Sequence, residues 1–173
     1  HVTQYYVVSL IGKTLVLLIA PINTIVISYL TKRKERLTRS QFGKAVLAGG
    51  GVSLVFFVAC QIGTPLFVWL FYRNLYESVK GIVTVVNLAQ ILGLFSAFLF
   101  ILVLTFTDER WQLWIQLAHF CILLVSSVLA ARTYGMMGFA VASLGANSLR
   151  VAAVVILGIV KAGKDKGDRN ADR

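Results

Sequence analysis

Two positively charged side chains lie inside long apolar stretches of this sequence, where a charge is costly. Arg150 lies roughly 21 Å of helical rise into the stretch Met136–Val160, and Lys13 lies roughly 12 Å into Tyr5–Leu30. The apolar stretches contain no Asp or Glu, so neither cation has an acidic partner within its own environment. Unpaired cations inside a membrane segment indicate a site for an anionic substrate.

Uncharged polar side chains accompany these cations at helical spacing. Ser143, Asn147 and Arg150 fall at i, i+4 and i+7, which is one stripe of a helix. The candidate cavity-lining residues are Lys13, Arg150, Asn147, Ser143, Asn87, Gln90 and His119. Two interpretations stay open. Either these side chains bind an anionic substrate in a cavity, or they are structural, with cations that snorkel and amides that join helices.

The sequence holds no set of residues typical of catalysis or metal binding. Asp108 and Glu109 form its only adjacent acid pair, and we find no Ser-His-acid set and no HExxH motif. Cys60 and Cys121 lie in apolar stretches, where a thiol is typically inert. We therefore predict that the protein is not an enzyme and uses no metal or cofactor.

The elements that must position the candidate residues follow from composition. The 173 residues are 58% apolar and 14% charged, against about 25% charged residues in soluble domains. A spanning helix needs roughly 20 apolar residues, and lipid requires the backbone to bond to itself. Five stretches are long enough: Tyr5–Leu30, Ala45–Tyr72, Gly81–Phe106, Trp111–Ala131 and Met136–Val160. We predict an all-α membrane protein, with a bundle of five transmembrane helices over residues 1–160 and a polar cytoplasmic tail over 161–173.

The distribution of charge predicts the orientation of the bundle. The chain has 17 Lys and Arg against 7 Asp and Glu, for a net charge of +10. Twelve of the bases lie in the alternate segments 31–44, 107–110 and 161–173, and three lie in the segments between them. The positive-inside rule then puts the N-terminus outside and the C-terminus in the cytoplasm. Short basic runs between apolar stretches indicate a lipid bilayer as partner and not a nucleic acid.

Five segments carry a resemblance to a known family. Residues 20–44 read APINTIVISYLTKRKERLTRSQFGK, and residues 70–80 read LFYRNLYESVK, with NLAQ following at 87–90. Residues 107–116 read TDERWQLWIQ, and residues 134–150 read YGMMGFAVASLGANSLR. In order and spacing they resemble the C-terminal lobe of oligosaccharide (O-antigen type) flippases, in the multidrug/oligosaccharidyl-lipid/polysaccharide exporter superfamily.

This resemblance implies a fold and a function. The family has two bundles of six helices, so the five spans would be the last five of the second bundle. The missing N-terminal lobe of the same protein would precede His1, which is not the usual Met. The implied function is alternating access that flips undecaprenyl-diphosphate-linked oligosaccharide across a bacterial or archaeal cytoplasmic membrane, for surface polysaccharide biosynthesis. Lys13 and Arg150 would attract the diphosphate. The alternative is a non-transporting membrane subunit that supports a polysaccharide-assembly enzyme.

Overall fold

The computed structural model describes residues 2–32, 38–104 and 107–171. All regular secondary structure in these residues is α-helical. The helices are α1 (Val2–Lys32), α2 (Arg39–Phe71), α3 (Arg73–Val79), α4 (Val83–Leu104) and α5 (Glu109–Ala171). The predicted all-α class is therefore confirmed for the described part of the chain.

The long helix α5 reverses direction at Gly135. The backbone there is non-helical, with φ 61° and ψ −138°, a conformation that glycine adopts without a steric penalty. His119 and Asn147 would be about 42 Å apart in a straight helix, yet their side chains are 3.1 Å apart. The segments 109–134 and 136–171 therefore form an antiparallel hairpin, and its turn lies in the predicted gap between the fourth and fifth apolar stretches.

Two hydrophobic clusters, one towards each end of the bundle, hold the helices together. The first joins the start of α1, the end of α2, the start of α4 and the segment after Gly135. Its buried members are Val7, Val8, Val68, Val79, Ile82, Val83, Val86 and Ala140. The second joins the start of α2, the end of α4 and the later part of α5. Its buried members are Phe42, Leu99, Leu102, Val103 and Val154.

These contacts place α4 at the centre of the bundle. In its most apolar 18-residue window 39% of residues are buried, against 6% in the corresponding windows of α2 and of residues 110–162. Three helices in the described residues are long and apolar enough to cross a membrane, namely α2, α4 and the 110–162 part of α5. Their exposed faces carry large apolar side chains, including Leu47, Ile62 and Phe120. Such faces suit lipid or another apolar surface.

Several basic residues lie together at one end of this bundle. Phe42 packs in the cluster that contains Val154, and the Lys161 ammonium lies 5.7 Å from the centre of the Trp111 ring. We call this the basic end, and define it by Arg39, Lys44, Arg110 and Lys161. At the opposite end the Gln4 amide donates to the Ser78 hydroxyl at 3.2 Å.

The helix limits differ from the predicted spans for local reasons. α2 begins six residues before Ala45, because Thr38 and Gln41 form a capping box in which each side chain bonds to the other's backbone N–H. The short helix α3 occupies a predicted loop, and its Val79 is buried in the first cluster. The segment predicted as a polar tail continues the backbone of α5 to Ala171.

Candidate functional site

Asn147 joins three helical segments at mid-bundle. Its Nδ2 donates to the Ala89 carbonyl of α4 at 2.8 Å. Its Oδ1 lies 3.1 Å from His119 Nε2, across the hairpin. Because the amide nitrogen is already used as a donor toward α4, the oxygen faces the ring and His119 Nε2 carries the proton. The helices come close here, since a Cβ at Gly93 would lie 3.3 Å from the Asn147 amide.

Arg150 lies one turn beyond Asn147 on the same helix. Its guanidinium carbon is 5.5 Å from the centre of the Phe100 ring of α4, a cation–π distance. The Arg150 Nε is buried and has no hydrogen-bond partner. Among the side chains that the structure describes, no carboxylate lies within ion-pair distance of this guanidinium.

Lys13 occupies a more open position on α1. Its side chain is exposed, and its Nζ lies 4.3 Å from the centre of the Tyr6 ring. The ring stabilises the ammonium through a cation–π contact that leaves the other side of the charge open. Lys13 is therefore available to a ligand that approaches α1 from outside the bundle.

The backbone positions of Lys13 and Arg150 lie at a similar depth in the bundle. On α1, Ser9 receives a hydrogen bond from Gln90, so Lys13 lies about 6 Å further along, near the level of residue 94. Asn147 contacts residues 89 and 93 of α4, so Arg150 also lies near that level. That level is the midpoint of α4, which spans 83–104. The backbone of both residues thus lies about halfway along the helix bundle, on different helices that flank α4, and the Lys13 side chain reaches back toward the Tyr6 ring, nearer the start of α1.

Asn87 is the centre of a hydrogen-bond network between α2 and α4. Its Nδ2 donates to the Cys60 carbonyl at 3.1 Å and to Gln61 Oε1 at 3.0 Å. Its Oδ1 accepts from the Thr64 hydroxyl at 3.2 Å. The Gln61 amide donates in turn to the Thr84 hydroxyl at 2.9 Å. All polar groups of the Asn87 side chain are therefore occupied within the bundle.

Gln90 and Ser143 also bond between helices. The Gln90 Nε2 donates to the Ser9 carbonyl at 3.2 Å, and a Cβ at Gly12 would overlap the Gln90 amide. Ser143 is buried, and its side chain lies against that of Tyr5. The Tyr5 ring packs edge-on against Phe139 at 4.8 Å between centroids. Both polar residues hold α1 against its neighbours.

The structure therefore divides the predicted site residues into two groups. Asn87, Gln90 and the His119–Asn147 pair make hydrogen bonds between helices, and Ser143 is buried against Tyr5. Arg150 and Lys13 form the second group, two cations whose backbone lies near the middle of the bundle. Sequence reasoning missed Thr64 and Thr84, which complete the Asn87 network. The sequence shows the spacing of these two residues along their helices. It does not show how α2 and α4 are aligned with each other, so it does not identify their hydrogen-bond partners.

The chain was compared with known protein families, proteins and structures. No protein-family model, no curated protein and no solved structure matches the chain. The two cations and the polar contacts around them are therefore the features of the chain that bear on its function.

Proposed function

We propose that this chain is part of a transporter that flips lipid-linked oligosaccharide across the cytoplasmic membrane by alternating access. In this proposal α1, α2, α4 and the two segments of α5 are five membrane spans, and the basic end faces the cytoplasm. The observation that carries the proposal is the depth of Lys13 and Arg150. The backbone of both residues lies at mid-bundle, and the described side chains give Arg150 no carboxylate partner.

The chemistry of Arg150 suits a diphosphate. A guanidinium offers a planar fork of N–H donors that binds phosphate oxygens with two bonds. An arginine at the centre of a membrane helix costs about 2.5–3.5 kcal/mol on insertion scales. An anion held beside it offsets part of that cost, because attraction between charges strengthens where the dielectric is low. The buried, unpartnered Nε is one donor that such an anion would satisfy.

One observation favours the second candidate, a non-transporting subunit that supports a polysaccharide-assembly enzyme. The amides of Asn87, Gln90 and Asn147 are all used in bonds between helices. Side chains used in this way stabilise one arrangement of the bundle. A subunit that only supports a partner needs such rigidity, whereas a transporter needs a cavity that opens.

Substitution of Arg150 separates the two candidates. We would express the chain together with the protein sequence encoded upstream of it and reconstitute the product into vesicles. The vesicles contain radiolabelled undecaprenyl-diphosphate oligosaccharide. Flipping is measured as the fraction of this lipid that a membrane-impermeant oxidant modifies. A hydrogen bond to a charged group contributes about 1.5–3 kcal/mol. Arg150→Gln should therefore slow flipping about 10- to 100-fold at unchanged folded yield. Arg150→Lys keeps the charge and should recover part of the rate.

Arg132→Gln is the matched control, because Arg132 is exposed near the hairpin turn. It should leave the flipping rate unchanged. If Arg150→Gln lowers the folded yield and the surviving protein flips normally, Arg150 is structural and the transport proposal fails. The upstream region is a second test. We expect an in-frame continuation with about seven more hydrophobic spans, and a start codon directly before His1 would contradict the proposal.

A further inference from the structure

A groove between three helices lies apart from the polar residues discussed above. It has a volume of about 250 Å³ and is lined by α1, α2 and α4. Ala48, Val52 and Phe56 of α2 form one wall, and Phe95 and Phe98 of α4 form the floor. Gly49 allows this floor to approach, since a Cβ there would lie 2.7 Å from a carbon of the Phe98 ring. The groove includes none of the candidate transport residues.

The lining and size of the groove determine what fits it. The lining of the groove is apolar except for Asn23 and Ser53. A largely apolar cavity accepts hydrocarbon. Sites for drug-sized compounds usually measure about 300–1,000 Å³, so this smaller groove suits a segment of a flexible chain more than a bulky ring system. In a membrane, the hydrocarbon chains of lipids are the most abundant such segment. The shape therefore favours a lipid acyl chain.

A positive charge at one end of the groove indicates which lipid head group would bind there. Lys44 lies one turn before Ala48 on the same stripe of α2, and its side chain is exposed. It belongs to the basic end, together with Arg39. A lipid whose acyl chain lies along Ala48 and Val52 would hold its head group beside Lys44. A basic residue at that position complements a negatively charged head group.

We infer that the groove binds an anionic phospholipid, with one acyl chain between α1, α2 and α4 and the phosphate beside Lys44. This inference is independent of the transport proposal. It concerns a resident membrane lipid and not the oligosaccharide carrier. The bound lipid would lie at the basic end, where the start of α2 approaches the later part of α5.

Native mass spectrometry of the chain tests the inference. Protein purified in detergent is mixed with equal amounts of dioleoyl-phosphatidylglycerol and dioleoyl-phosphatidylcholine, which share their acyl chains. We expect preferential retention of the anionic lipid. Lys44→Gln should reduce that preference about fivefold, the attraction that one basic residue adds near an anionic surface. Arg110→Gln, at the same end but on α5, should leave it unchanged.

Filling the groove tests the acyl-chain part. Ala48→Phe and Val52→Phe should each reduce retention of both lipids about tenfold or more. Ala152→Phe is the control, because Ala152 is an exposed alanine on α5 outside the groove. Circular dichroism and elution volume identify variants that still fold. If folded Ala48→Phe and Val52→Phe both retain lipid like the starting protein, or if the two lipids bind equally well, the inference is overturned.

Discussion

Replacing Asn87 by Leu tests whether the polar network between α2 and α4 stabilises the bundle. The Asn87 side chain is 1% exposed and makes three hydrogen bonds to α2. Leu has a similar size, so the substitution removes the hydrogen bonds and leaves little empty space. It also leaves the Thr64 hydroxyl and one Gln61 oxygen without this partner.

The expected loss follows from the number of bonds. Hydrogen bonds between membrane helices contribute about 0.6 kcal/mol each in double-mutant cycles. Three of them give about 2 kcal/mol, which is about a 30-fold change in the ratio of folded to unfolded protein. The value stays modest because polar groups of the unfolded chain also find partners inside a micelle.

The assay is unfolding of the protein in mixed micelles by increasing dodecyl sulfate, followed by tryptophan fluorescence. Asn74→Leu is the matched control, since Asn74 is exposed on α3. It should change the unfolding free energy by less than about 0.5 kcal/mol. Thr64→Val combined with Asn87→Leu should cost less than the sum of the two single changes, because both remove the same bond.

One result would refute this reasoning. If Asn87→Leu unfolds like the starting protein, the network does not stabilise the bundle. If the same variant then loses oligosaccharide flipping, Asn87 contacts substrate, and its hydrogen bonds belong to a resting conformation. The experiment thus distinguishes the structural interpretation of this residue from the cavity-lining one.

Three further predictions concern single positions. Gly158→Ala should destabilise the bundle by about 1–3 kcal/mol in the same unfolding assay, because its new methyl group overlaps a phenylalanine ring from the start of α2. Gly135→Ala should cost about 1–3 kcal/mol and broaden the unfolding transition, because the φ of 61° strains any residue with a Cβ. Glu77→Gln should lower the pKa of Lys80 in an NMR titration, since the hydrogen bond and charge of Glu77 raise it. Gly145→Ala is the control for both glycine variants, because a Cβ there meets open space.

Each of these predictions has a contradicting result. Wild-type stability of the Gly158 variant would show that the helices separate there at no cost. Wild-type stability of the Gly135 variant would mean that the turn adopts another conformation. For Lys80, the raised pKa means that any stability from the pair is present below the unfolded pKa and is lost as pH rises through the folded pKa. The pair is exposed, so solvent screening keeps this effect small. A marked loss of stability in the Glu77 variant near neutral pH would contradict that.

The sequence predicts the helices better than their contacts. The turn at residues 132–135 can be predicted from the sequence, because polar residues and Gly135 separate two apolar stretches there. The start of α2 at Arg39 was not predicted, because the span was placed by its apolar residues and not by the capping box of Thr38 and Gln41. The helix α3 was not readable, because its burial of Val79 depends on contacts with residues far away in the chain.

The candidate site shows the same limit. Residue type and spacing identify Asn87, Asn147 and Arg150 as unusual in apolar helices. The partners of these residues depend on the relative register of neighbouring helices. Asn87 meets Thr64 only because α2 and α4 pack with those turns at one level. Periodicity within one helix contains no information about its depth relative to another, so the common depth of Lys13 and Arg150 emerges only from the fold.

The central position of α4 has a consequence for the order of assembly. In the proposed five-span arrangement, a chain made from its amino end inserts α1 and α2 into the membrane before α4 is synthesised. At that stage Gln61 and Thr64 on α2 lack their hydrogen bonds to Asn87, and the Ser9 carbonyl of α1 lacks its hydrogen bond from Gln90. Release of α4 from the insertion machinery supplies both partners together. Biogenesis of this bundle therefore depends on one late event, and a ribosome stalled after α2 leaves two helices with exposed polar groups for quality control to recognise.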